Sequence, residues 1–149
     1  MTVIESGESL TEQVVCELER KLGVAFPPIY RNFLRAYNGG HVNPDTIDIL
    51  NLPGSPTDIM VLFGIGRPTP MDNIEKNLQM YRGRIPTNVI PIGTDSLGNL
   101  FVVSVDDSTA DAVSYVDFLY PDGAIYAVAP SIDQMIQNIR EFNESTDDV

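Results

Sequence analysis

Leu10, Val14, Leu18 and Leu22 recur every fourth residue, Val15 widens the stripe, and polar residues fill most of the remaining positions. That spacing predicts an amphipathic helix over residues 10–22. Ser9-Leu10-Thr11-Glu12 supplies a capping box, with Ser9 as N-cap and Glu12 reaching back, and Gly23 falls at the left-handed position that ends a helix. Val24-Ala25-Phe26-Pro27-Pro28 is a short connector, and Pro28 suits the first turn of a second helix. Ile29, Tyr30, Phe33, Leu34 and Tyr37 lie on one side of that helix, with Arg31, Asn32 and Arg35 on the other. Asn38-Gly39-Gly40 closes it with residues that tolerate left-handed backbone. Helices joined so closely pack as an antiparallel pair or at a steep angle.

The period then shortens. Residues 41–58 are rich in Pro, Asn and Asp and read as loop, with Ile47, Ile49 and Leu50 in a short strand. Ile59-Met60-Val61-Leu62-Phe63-Gly64 has the composition of a buried strand. Asp72-Asn73-Ile74-Glu75 supplies a cap, and Ile74, Leu78 and Tyr81 set a third helix ending near Arg82-Gly83. The stretch IPIGTDSLGNLFVVSV over residues 90–105 is the most organised. Two apolar runs flank Gly93-Thr94-Asp95-Ser96-Leu97-Gly98-Asn99, as in a β-hairpin. Its second run is apolar at nearly every position, which predicts a central strand covered on both faces. Runs starting at Ala112 and Ala124 make two more strands around Pro121-Asp122-Gly123. Ser131 caps a last helix with Ile132, Met135, Ile136, Ile139 and Phe142 on one face.

Strands segregated from helices predict an α+β single domain. It has a largely antiparallel sheet of about five or six strands, two N-terminal helices, an inserted helix and a C-terminal helix. Residues 1–8 read as a flexible leader, 9–142 as the domain and 143–149 as an acidic disordered tail. Leu18, Phe33, Leu34, Phe101, Val103, Ile125, Ile136 and Ile139 are expected in one core.

Charge changes the picture most. Asp and Glu number 21 against nine Lys and Arg, giving −12. Between Arg84 and Arg140 there is no Lys, Arg or His, yet Asp95, Asp106, Asp107, Asp111, Asp117, Asp122 and Asp133 all fall there. Such a surface repels nucleic acid and anionic membrane and suits a basic protein. The candidate partner-binding residues are therefore Asp106, Asp107, Asp111, Asp117 and Asp122 on the turns. Phe118 and Tyr120 join them, because Phe118-Leu119-Tyr120 cannot all point inward from a strand. An ordinary solvated surface, and aromatic packing under the last helix, are the plain alternatives. No apolar run approaches the ~20 residues of a bilayer span. The opening MTVIESGESL lacks the basic stretch and apolar run of a signal peptide, and one cysteine, Cys16, allows no internal disulfide, so a cytoplasmic location is expected.

Glu19-x-x-Leu22-Gly23-x-x-Phe26-Pro27-x-x-Tyr30-x-x-Phe33-Leu34-x-x-Tyr37-Asn38-Gly39-Gly40 resembles the opening of the SUKH superfamily. That superfamily includes the fungal cell-wall-assembly regulator domain and bacterial toxin-immunity proteins. Ile90-Pro91-Ile92-Gly93-x-Asp95-x-x-Gly98-Asn99 is similar to its central signature, and Ala129-x-Ser131-Ile132-x-x-Met135-Ile136 to the start of its last helix. Phe26 stands where Leu is usual, Ile132 where an aromatic is common, and residues 115–120 lack the Trp-Asp-His-like run of many members. The resemblance implies a non-catalytic α+β binding domain. Its bacterial members often neutralise a cognate toxin, frequently a nuclease, and its fungal members act as regulatory scaffolds.

Catalytic candidates are sparse. His41 is the sole imidazole and sits in a loop, and a Cys16–His41 dyad has nothing in its spacing to enforce it. Cys16 is expected nearly opposite the apolar stripe, with no basic group beside it. Asp106, Asp107 and Asp111 offer oxygens to a hard cation, but their spacing matches no ligand loop. Asp95 and Asn99 are expected to close their own turn through the main chain. No cofactor is implied, and an enzyme or metal-binding protein is the weaker alternative to a protein-binding domain.

Overall fold

The computed structural model describes residues 2–119 and 123–143. It opens on a strand where the sequence suggested a leader: β1 (Thr2–Ile4) runs antiparallel to β2 (His41–Asn43), Val3 opposite Val42. Between them lie α1 (Glu12–Leu22) and α2 (Pro28–Tyr37). The first helix starts later than the Ser9 capping box predicted. The Leu10 amide donates to the Arg35 carbonyl at 2.8 Å, which holds Leu10 against the end of α2, and Thr11 becomes the N-cap, its hydroxyl accepting from Val14 N at 3.2 Å. Gly23 ends the helix at φ 71°, as the pattern required.

Val15 and Leu18 of α1 and Tyr30, Phe33 and Leu34 of α2 enter the core, while Ile29 and Tyr37 lie on the surface. Arg31 ties the two helices together, its guanidinium 2.7 Å from Glu12 and 3.0 Å from Glu19. Its Nη2 also lies 3.4 Å from the half-buried Cys16 Sγ, so the thiol has the basic neighbour that its sequence position did not reveal.

β3 (Thr46–Ile47) pairs with β4 (Thr57–Asp58) in a small separate ladder. The main sheet comprises β5 (Val61–Leu62), β6 (Val89–Thr94), β7 (Leu100–Ser104), β8 (Val113–Asp117) and β9 (Ala124–Ala129), five strands in sequence order and all antiparallel. The α+β architecture and the central hairpin are as the apolar pattern predicted. Every residue of β7 is buried, which requires cover on both faces. α3 (Ile74–Tyr81) is the inserted helix and α4 (Ile132–Gln137) follows β9, with the Ser131 hydroxyl accepting from Gln134 N.

Of the expected core, Leu18, Phe33, Leu34, Phe101 and Val103 are buried, and Ile136 and Ile139 pack partly buried against them. Ile125 is the correction, at 50% exposed. It belongs to the edge strand β9, where Tyr126 and Val128 turn toward the core and Ile125 and Ala127 turn away. Because all four are apolar, their composition conceals the alternation. α4 is also shorter than its apolar spacing suggests. Arg140 exchanges both main-chain hydrogen bonds with Thr46, drawing the chain into a bridge that ends helical geometry and leaves Phe142 exposed.

Candidate partner-binding surface

The five candidate residues that the structure describes fall into three situations. Asp106 and Asp107 are exposed on the turn between β7 and β8. That turn folds around Ser104, whose hydroxyl accepts from Asp106 N at 3.2 Å and lies 2.7 Å from Thr109 Oγ1. The Asp106 carboxylate accepts from Asn88 Nδ2 at 2.9 Å, and Asp107 opens a 3-10 turn, Asp107–Thr109.

Asp111 does not join them. It is buried, adopts φ 72°, and turns its carboxylate inward onto the start of α2, where Oδ1 accepts from Tyr30 N at 2.8 Å and Oδ2 from Ile29 N at 3.2 Å. This helix starts at Pro27-Pro28 and has no side-chain cap of its own. Its free amides need an acceptor, and a carboxylate also suits the positive end of the helix dipole. The missing local cap was the sequence signal that an acid from elsewhere would serve.

Asp117 is also buried, with Oδ1 accepting from Leu119 N at 2.8 Å and its carbonyl from Gly123 N at 2.7 Å, so it shapes the turn after β8. Phe118 is half-buried. Its ring stacks on Tyr81 at 5.1 Å between centroids, and the Arg84 guanidinium carbon sits 4.7 Å from the Phe118 centroid. Tyr120 and Asp122 lie outside the described residues. The acidic turn precedes β8 and Phe118 follows it, so a five-residue strand, about 15 Å long, separates the two groups. They do not form one patch.

The central hairpin loop is built around Asp95, which is 1% exposed. Its Oδ1 accepts from Leu97 N at 3.0 Å and Asn99 N at 2.9 Å, closing the turn as expected. Its Oδ2 accepts from Thr57 Oγ1 at 2.7 Å and from the Tyr115 hydroxyl, two links that sequence reading missed. Asn99 completes the set, donating to Tyr115 Oη at 2.8 Å and accepting from Phe118 N at 2.9 Å. Burial, reinforced by the Asp95 carboxylate, pushes the Tyr115 phenol far above its ordinary range and holds it neutral. Unfolded tyrosine ionises near pH 10, so the folded state is favoured fully below that pH and loses stability as pH rises through it. Urea midpoints measured from pH 8 to 11 are expected to fall above about pH 10, and to fall less in Tyr115→Phe.

Beside this network, Leu97 and Leu119 are 62% and 61% exposed and line a shallow groove with Leu52 and Pro53. Sequence reading did not single out Leu97. Its place at the tip of the Asp95-Ser96-Leu97-Gly98 turn was the available clue.

His41 is engaged within the chain: Nδ1 lies 2.7 Å from the Met60 carbonyl and Nε2 3.4 Å from Glu5. Among the described residues no group of His, Cys, Asp and Glu side chains is placed to hold a metal ion, and no helix is long and apolar enough to cross a membrane.

Helices packed on an antiparallel meander, with an aspartate-centred hairpin at its middle, define a small α+β scaffold. Residues 9–138 match the SMI1 / KNR4 family (SUKH-1), and the chain belongs to that family. It is similar to the SPbeta prophage-derived uncharacterized protein YokK of Bacillus subtilis (strain 168). The two are 25% identical over 140 residues, which cover 85% of this chain and 72% of that protein.

Proposed function

We propose that this chain is a non-catalytic protein-binding domain that acts as an immunity protein, capturing and neutralising a basic, nuclease-type toxin in the cytoplasm. The observation that carries this reading is the charge. The chain holds −12, and Asp106, Asp107 and Asp133 stand exposed in a segment free of Lys, Arg and His. A cationic partner is drawn to such a surface at long range, and its own nucleic-acid-binding face is the complementary one. The internal polar groups support a binding role over a catalytic one: Asp95, Asn99, Tyr115 and Asp111 are all taken up in holding the scaffold. Exposed Leu97 and Leu119 add apolar area of the kind that anchors an interface. A prophage-derived relative also fits a protein that travels with a toxin gene.

The test is co-expression with the product of the gene encoded beside this one. The expected result is restored growth and a complex whose association slows as salt rises. Single surface charges act weakly, so Asp106 and Asp107 are reversed together to Lys. This double variant is expected to associate about ten-fold more slowly at low salt, with a flatter salt dependence and a stability change below about 0.5 kcal/mol. An unchanged rate and slope would remove the turn from the interface. Binding without rescue of growth would favour a regulatory scaffold role instead. A substrate turnover abolished by His41→Ala would overturn the non-catalytic reading.

A further inference from the structure

The two edges of the five-stranded sheet are treated differently. At β5 the edge is short and closed: Leu62 exchanges main-chain hydrogen bonds with Gly40, 3.0 Å in one direction and 2.8 Å in the other. At β9 it is long and open. Five of its six residues pair with β8 on one side, and among the described residues no main-chain partner meets the other side. β9 is also the one strand of this sheet with no buried residue, and it exposes Ile125 and Ala127.

An open edge is a template for another strand, and proteins usually blunt it with charges, proline or a bulge placed to twist it away. Ala124-Ile125-Tyr126-Ala127-Val128-Ala129 contains no charge and no proline, and its one bulge, at Val128, lies near the end of the strand and leaves Ala124–Ala127 in regular register. Pro130 stands just beyond the strand and leaves its length intact.

We infer that the outer edge of β9 is a self-association surface, where β9 of a second copy of this chain adds in antiparallel register and extends the sheet across a two-fold axis. The charge pattern selects this occupant. The strand itself offers no carboxylate to a basic segment, so a neutral apolar strand fits it best, and β9 is one. All six of its residues are Ala, Ile, Tyr or Val, so every antiparallel register sets apolar side chains opposite each other and never two like charges. A two-fold pairing of this kind is closed and stops at the dimer. Each copy carries −12, so the bodies repel while the edges attract, and added salt strengthens the pairing by screening that repulsion. This is the opposite sign to the salt dependence of a basic partner.

The experiment is sedimentation equilibrium of the full chain over a range of concentrations at low and high salt, with amide hydrogen exchange on concentrated and dilute samples. The expected result is a reversible dimer that tightens with salt and protects β9 amides only in the concentrated sample. Ile125→Lys with Ala127→Lys, at two exposed positions, should raise the dissociation constant at least about ten-fold and leave the thermal melt unchanged. Should that pair disturb the fold, Ala127→Lys alone carries the test. A chain monomeric at every concentration and salt overturns the inference. So does a dimer indifferent to the lysines, or protection of β9 that appears only on mixing with the neighbouring gene's product.

Discussion

Asp95→Ala is expected to be among the most destabilising single substitutions in this protein, at about 3–5 kcal/mol. The carboxylate accepts from two amides, Leu97 and Asn99, and from two hydroxyls, Thr57 and Tyr115. Removing it leaves four donors without their acceptor in a site that is 1% exposed, and the cost is set by those orphaned groups. The hairpin turn, β4 and β8 meet at this one side chain, so its loss loosens three segments together. Urea denaturation of the purified variant measures the effect. Tyr115→Phe removes one of the four donors and should cost about 1 kcal/mol. A full-length Asp95→Ala within about 1 kcal/mol of the parent would show that the network contributes little.

Gly64→Ala is expected to cost about 3 kcal/mol or more, through backbone contact rather than lost bonds. A methyl group built at Gly64 would lie 2.4 Å from the Asn38 carbonyl oxygen and 2.5 Å from its side-chain oxygen. Asn38 cannot retreat cheaply. Its Oδ1 accepts from Ile65 N at 2.7 Å, its Nδ2 donates to the Ile65 carbonyl at 3.0 Å, and it ends α2 in left-handed conformation at φ 51°. Gly39 is held as closely from the other side, where an added methyl would lie 2.7 Å from the Leu62 carbonyl. The Asn38-Gly39-Gly40 stretch is therefore a seat for the strand around Gly64 as much as a helix stop. A thermal melt of Gly64→Ala, beside Gly83→Ala where nothing stands within 4 Å, separates crowding from conformational strain.

Much of this was legible in the chain because the information is local. The apolar spacing of Leu18, Phe33 and Leu34 marks helix faces, and residues 100–104 read as a buried central strand. The Asp95 turn was legible to the extent that its carboxylate serves amides two and four residues away. Its bonds to Thr57 and Tyr115 span 38 and 20 residues and leave no periodic trace. Asp111 shows the same limit with greater consequence. Beside Asp106 and Asp107 it looks like one more surface acid, yet the fold turns it inward onto a helix 81 residues earlier. The acidic segment is thus of two kinds, Asp95, Asp111 and Asp117 inside and Asp106, Asp107 and Asp133 outside, and composition cannot separate them.

The distance along the chain between Asp111 and the helix it caps bears on when the protein becomes whole. During synthesis α1 and α2 leave the ribosome first, but the amides of Ile29 and Tyr30 wait for an acceptor some eighty residues downstream. The bridge between Thr46 and Arg140 comes later still, close to the end of the described chain. Before the strands between Val61 and Ala129 emerge, Leu34 of α2 lacks the sheet residues that share its core in the finished fold. Such long closures favour slow, concerted folding after most of the chain has emerged. A nascent fragment ending before the acidic turn holds the central strand β7 but neither the cap nor β8 and β9 that complete the sheet beyond it, and it is an exposed client for chaperones rather than a stable half-domain.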